Sequence, residues 1–462
     1  MLRESVLNVV CAGVQYFLFI FYVMKFLIMT AMCFYVKTVL TLDCYWNSGC
    51  KYKYFSSKTP YEIVRGDIRD SIVKQEGCET ISVWSIFRHG KRNPSSKYAT
   101  DIQYILKYYK DFIVSSFEIG NSSLCAQDVE NIKNWKIDTK MLDEPNEISS
   151  EGYRELFDIG SRIKETFPEL LSKLQENEYK FQPAFGSRIE ESARAFAEGL
   201  DDCNLLITKI YGDYTYVAPY SICGKYQIDI RNNPNVYHEA EVYENTEEYS
   251  NMRERVAKNL GLNFVPSSDN ITAIYDLCRY SWNGILHQPS PWCAVFTAED
   301  LKILEYVGDL RHYYRNGYGA SQFSNTLGQL PLSDLLRNFE QSKRGNGKKI
   351  VSYFTHATMM DMIVVVLNLY RDPTPLLGSY RDLNRQYRST FLSTFSSNLI
   401  AVLNRCRKAH TYDYSVSFYW NEKPLKELCN EGTCSWQEFE NIFKPFLNAT
   451  DDICEFKWTK LD

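Results

Sequence analysis

The sequence predicts an α/β fold: a central, mostly parallel sheet flanked by helices, with an inserted, mainly helical cap. Three short apolar runs, at 81–87, 179–185 and 350–354, read as buried strands, because they are rich in β-branched and aromatic residues. Each is followed closely by a helical pattern, and each strand-to-helix edge carries Arg or His. Between about 216 and 340 the composition shifts toward Tyr, Asn and charged residues with few strand signals, as expected of inserted helical material.

The chain has 462 residues, 45% of them hydrophobic and 15% aromatic, enough apolar surface for a large core. A net charge of −5 gives no reason to expect nucleic acid, so basic clusters stand out locally against an acidic background. Residues 6–42 are nearly all apolar, which is too long for a single span of about 20 residues. Either 6–23 form a membrane anchor or the later piece opening at Met24-Lys25 is a secretory signal, and the charged-then-apolar order favours the signal. Contact with a membrane is expected only through this segment.

Twelve cysteines follow the leader: Cys44, Cys50, Cys78, Cys125, Cys203, Cys223, Cys278, Cys293, Cys406, Cys429, Cys434 and Cys454. An even number suits disulfides in an oxidising compartment, and without a C-x-x-C pair no metal is expected. Asn121, Asn270 and Asn448 open glycosylation sequons. The end Trp458-Thr459-Lys460-Leu461-Asp462 carries no retention tetrapeptide, so secretion or a tethered luminal form is expected over retention.

In chain order, 44–60 reads as a Lys-, Tyr- and Ser-rich loop on the surface and 61–74 as moderately helical with mixed charge. The strand at 81–87 runs into Arg88-His89-Gly90-Lys91-Arg92-Asn93-Pro94. Two guanidinium forks and an imidazole at a strand end can wrap an anion, and Gly90 allows close backbone approach. A helix is expected over 102–117, then an irregular polar stretch over 121–147. Leu156, Ile159, Ile163 and Phe167 mark one face of a helix over 153–167, stopped by Pro168. After the strand at 179–185, Arg188 stands before a helix over 190–200, where unpaired amides favour anions. Helices follow over 299–314 and 327–339, and 341–349 is a basic loop. The strand at 350–354 ends at Thr355-His356-Ala357-Thr358, before a buried helix over 359–370, and 391–406 supplies a further strand. The expected organisation is a signal peptide or anchor at 1–42, an extension at 43–78, and a core of 79–100, 147–215 and 345–428. The cap takes 101–146 and 216–340, and 429–462 form a Cys-containing tail.

Arg-His-Gly-Lys-Arg-Asn-Pro resembles the Arg-His-Gly-x-Arg-x-Pro signature of the histidine acid phosphatases, the second clade of histidine phosphatases. Arg188-Ile189-Glu190-Glu191-Ser192-Ala193-Arg194-Ala195-Phe196 resembles the segment that supplies their third pocket arginine. Lys58-Thr59-Pro60-Tyr61-Glu62, Ser290-Pro291-Trp292-Cys293, Leu304-Glu305-Tyr306 through Gly317-Tyr318-Gly319, and Arg388-Ser389-Thr390 through Ser397-Asn398-Leu399-Ile400 are similar to members that act on inositol polyphosphates. The resemblance implies a cofactor-free phosphomonoesterase for inositol polyphosphates or other polyanionic phosphomonoesters, including 2,3-bisphosphoglycerate. It implies His89 as the nucleophile, forming a phosphohistidine, and Arg88, Arg92, Arg188 and His356 as the phosphate clamp. Lys91 would hold a neighbouring phosphate. The chain departs from the family at the proton donor: a carboxylate is expected just after the second histidine, where Thr358 stands. Asp361, one helical turn later, is a candidate substitute or a surface or capping aspartate. The alternative function is a weakly active or inactive binder of phosphorylated ligands.

Overall fold

The computed structural model describes residues 44–47, 54–72, 77–201, 205–208 and 214–459. The leader at 1–42, Cys50 and Cys203 lie outside the described residues. Seven strands form one sheet: β1 (Cys78–Arg88), β2 (Tyr179–Pro183), β3 (Ile350–Thr355), β4 (Asn398–Arg407), β5 (Tyr412–Trp420), β6 (Lys423–Pro424) and β7 (Thr433–Ser435). Their order is β2-β3-β1-β4-β5-β6, with β7 beside β5. The β2-β3-β1 part is parallel, and β4 onward is added antiparallel. The α/β fold is as expected.

The parallel part positions the site. Arg88 of β1 pairs with Thr355 of β3, and Pro183 of β2 with Phe354, so three carboxyl ends finish level. The alignment is held from below. Phe87 stacks on Phe354 with ring centroids 5.4 Å apart, and Phe196 packs on Phe87 at 4.8 Å. All three are fully buried, each with a burial gain of roughly 2–3 kcal/mol.

The main helices are α1 (Ser96–Glu118), α2 (Ser150–Thr166), α3 (Ser187–Asp201), α4 (Ser268–Tyr280), α5 (Ala298–Arg315), α6 (Ser321–Lys343) and α7 (Ala357–Val366). Ser149 caps α2 by accepting from Gly152 N, as its side-chain type favours. Thr297 and Asp300 form a capping box on α5.

Several boundaries differ from expectation. The stretch 121–147 contains short helices at Ala126–Asn134 and Lys140–Asp143, whose apolar Val129, Ile132 and Met141 are buried. The helix expected over 359–370 ends at Val366, and β4 begins only at Asn398, because 391–397 wrap under the site with Ser393, Thr394, Ser396 and Ser397 fully buried. Helix α6, expected in the cap, packs on α7 and β1, and Trp84 Nε1 donates to Asp334 in it at 3.1 Å. The tail is part of the sheet through β7. The loop before Pro60 is not surface: Phe55, Ser56, Ser57 and Thr59 are buried.

Disulfides join Cys44–Cys125, Cys78–Cys406, Cys223–Cys454, Cys278–Cys293 and Cys429–Cys434. Among the described residues, no helix is long and apolar enough to cross a membrane.

Candidate active site

The turn after β1 is held by backbone contact. A Cβ on Gly90 would sit 2.2 Å from the Gly152 carbonyl oxygen, so only glycine lets the turn lie against the start of α2. Gly90 N donates to Ser192 Oγ at 3.1 Å, which ties the same turn to α3.

On this frame His89 and Arg88 are buried, each 3% exposed. The His89 Nδ1 lies 2.8 Å from the Gly90 carbonyl oxygen, which can only accept, so Nδ1 carries the proton and Nε2 keeps its lone pair. Burial, followed by the charges of Arg88 and Arg188, holds the His89 ring well below the ordinary histidine range. Arg88 donates through Nη1 to the carbonyl oxygens of Ser57 and Ser393, and its guanidinium lies 4.4 Å over the Phe395 ring. Burial and then repulsion from Arg92 lower it to about 9. Its Nε has no hydrogen-bond partner among the described residues.

His356 begins α7 at the end of β3, and its ring centroid is 5.7 Å from that of His89. Its Nδ1 is 3.0 Å from the Tyr220 hydroxyl, and burial, followed by the charges of Arg188, Arg88, Arg92 and Arg231, lowers it to about 3. Arg188, at the start of α3, is lowered to about 10, first by burial and then by Arg92. A cavity of about 260 Å³ opens here, lined by Arg188, Tyr220, Tyr226, Arg231, Arg315, His356 and Thr358. A second, of about 430 Å³, shares Arg315 and is lined by Ser57, Lys58, Arg279, Arg311 and His312 among others. Among the described residues, none of Arg88, Arg92, Arg188, Arg231 and Arg315 forms a salt bridge. A cluster of uncompensated guanidinium groups around two neutral imidazoles suits a multiply charged anion.

The structure thus brings together Arg88, His89, Arg92, Arg188, His356 and Thr358. Lys91 departs from its expected contact with a neighbouring phosphate. It is buried, with Nζ donating to Glu151 and to the Trp282 carbonyl, so its charge is matched inside the protein. Asp361 is neither a surface nor a capping residue and does not line either cavity. It is fully buried and accepts from His312 Nδ1 at 2.7 Å and Asn316 Nδ2 at 3.3 Å. Sequence reasoning missed Arg231, Arg315, Tyr220, Arg279 and His312. Arg315 and His312 fall inside the stretch ending at Gly317-Tyr318-Gly319, a usable signal, whereas Arg231 and Tyr220 lie in sequence with no motif.

The sequence pattern of the histidine phosphatase superfamily (branch 2) matches residues 80–421, and the chain belongs to this family of phosphate-ester hydrolases. It is 25% identical over 410 residues to multiple inositol polyphosphate phosphatase 1 of Drosophila melanogaster, covering 86% of this chain and 85% of that one. Among solved structures it resembles the phytase from D. castellii, with a TM-score of 0.66 at 18% identity over 90% of this chain and 91% of that one. It also resembles the multiple inositol polyphosphate phosphatase of Bifidobacterium longum in complex with inositol hexasulfate, with a TM-score of 0.60 at 15% identity over 80% and 92%.

Proposed function

We propose that the protein is a phosphomonoesterase for inositol polyphosphates that works through a phosphohistidine on His89. The observation that carries this is His89, whose Nδ1 faces the Gly90 carbonyl and leaves Nε2 its lone pair, set among arginines that form no salt bridge among the described residues. His89 Nε2 attacks phosphorus; Arg88, Arg92 and Arg188 hold the phosphoryl oxygens as charge moves onto them. Burial keeps the Tyr220 phenol protonated, so it donates to His356 Nδ1 and leaves His356 Nε2–H to face a phosphate oxygen. The reading draws on the inositol polyphosphate phosphatases and phytase to which the chain is similar. A substrate with several phosphates fits two adjoining basic cavities that share Arg315. The N-terminal segment is assigned to export, with the cysteine pairs suited to an oxidising compartment.

The test is phosphate release from inositol hexakisphosphate by the full chain and by His89→Ala. Native release abolished in the variant is the expected result, and equal rates would reject the reading. A second reading, a binder with little turnover, is favoured by one observation: Thr358 lines the cavity where a donor carboxylate is expected. Native turnover at the level of ordinary family members would exclude it.

A further inference from the structure

A proton donor is needed when the leaving group is an alkoxide, and Thr358 carries no group that gives up a proton near neutral pH. Among the described residues lining the two cavities, the only carboxylate belongs to the exposed Glu241. The structure holds another chain of groups beside the site. Asp361 Oδ2 accepts from His312 Nδ1 at 2.7 Å, and His312 Nε2 lies 2.9 Å from Ser57 Oγ. The Ser57 carbonyl takes the Arg88 guanidinium, so His312 stands two hydrogen bonds from the residue preceding His89. Asp361 is fully buried, whereas the His312 side chain is 17% exposed and lines the larger cavity with Ser57. A buried carboxylate fixes the tautomer and orientation of such an imidazole and supports its charged form in passing. The relay starts from the imidazolium form of His312, whose Nε2–H donates to Ser57 Oγ; Lys58 Nζ donates to the same oxygen at 3.1 Å, so the hydroxyl accepts from both neighbours and turns its own proton into the cavity.

We propose that Asp361, His312 and Ser57 form a proton relay that protonates the leaving oxygen in place of the missing donor at 358. This rests on the phosphohistidine reading above. In the first step His89 Nε2 forms the N–P bond and the P–O ester bond breaks with its electron pair on oxygen. That oxygen takes the Ser57 hydroxyl proton as Ser57 Oγ takes the proton from His312 Nε2. In the second step water attacks phosphorus, the N–P bond returns its pair to His89, the water proton stays on the phosphate product, and His312 regains its proton from solvent through the cavity it lines, so this step is the same for both kinds of ester. Asp361 is a positioning residue throughout.

The experiment compares inositol hexakisphosphate, an alkyl phosphate, with 4-nitrophenyl phosphate, whose leaving group departs as a stable anion and needs no proton. In His312→Gln and in Ser57→Ala, turnover of the alkyl ester should fall about 10²–10⁴-fold while the aryl ester stays within about threefold of native. Adding Thr358→Glu to His312→Gln should restore alkyl turnover, which no loss of packing would allow. Equal falls on both substrates, unchanged alkyl turnover in either variant, or no rescue would overturn the relay. Native protein that releases phosphate from neither ester would overturn the phosphatase reading and the relay with it; native activity on both, without the leaving-group split, would overturn the relay alone.

Discussion

Lys91 and Glu151 illustrate how a charge in a motif can serve the frame instead of the ligand. Two ions taken out of water together hold each other, but removing one leaves the other buried and uncompensated. Lys91→Met should therefore lower unfolding free energy by about 3–5 kcal/mol in urea titrations while leaving KM for soluble protein near native. An increase in KM with unchanged stability would return Lys91 to the substrate. Thr358 is the opposite case, a side chain that faces the cavity and lacks the chemistry the position calls for. Thr358→Glu in the otherwise native chain should raise kcat for alkyl phosphates, at most by the roughly 10²–10⁴-fold worth of a positioned acid, with ligand affinity little changed. The gain should be small if the His312 relay already supplies that proton, so its size measures how far the relay compensates.

At the scale of elements, the site depends on how three strand ends meet two helix starts. The turn at 88–94 is pressed against α2, where a Cβ on Gly152 would lie within contact distance of the Lys91 backbone. Gly152→Ala must push the turn away, moving Arg88 and His89 together. We expect loss of phosphate release larger than loss of stability, checked by comparing kcat/KM with the thermal midpoint. The quoted motif stretches find their reasons here too. Glu305 of α5 accepts from Arg388 and from the Thr390 hydroxyl, and Asp309 accepts from Arg385 and Ser389. These buried ion pairs fasten α5 to the loop that leads into β4.

For the whole molecule, the cationic site has a consequence for folding. His356 is held at about 3 in the folded protein against an ordinary value near 6.5. Between those values the unfolded chain binds a proton that the folded chain refuses, so this contribution is lost as pH falls from about 6.5 toward 3. Glu155, raised to about 7 by burial and Glu151, acts in the opposite direction, since between about 4.5 and 7 the folded form binds the extra proton. The two are separated by variant. On going from pH 7 to 4, native protein should lose more urea stability than His356→Gln, by on the order of 1–3 kcal/mol. An identical pH dependence for both would contradict the assignment. The Cys278–Cys293 bridge closes a loop with a sequence separation of 15, and its removal by Cys278→Ala/Cys293→Ala should lower unfolding free energy by about 3 kcal/mol.

By itself the sequence determined the strands at β1, β2 and β3, the helices after them, and the residues Arg88, His89, Arg188 and His356 at their ends. Those features are local: apolar runs of strand length, helical spacing and charged turns are written in consecutive residues. The tertiary structure alone decided which charged groups face the cavity. Lys91 and Arg92 are adjacent in sequence, yet one is matched by Glu151 sixty residues on and the other forms no salt bridge among the described residues. The same holds for Asp361, whose partner His312 comes from α5, and for Ser57, drawn from a stretch that reads as surface. Burial and pairing depend on what the rest of the chain brings to a side chain, and residue spacing carries no record of that.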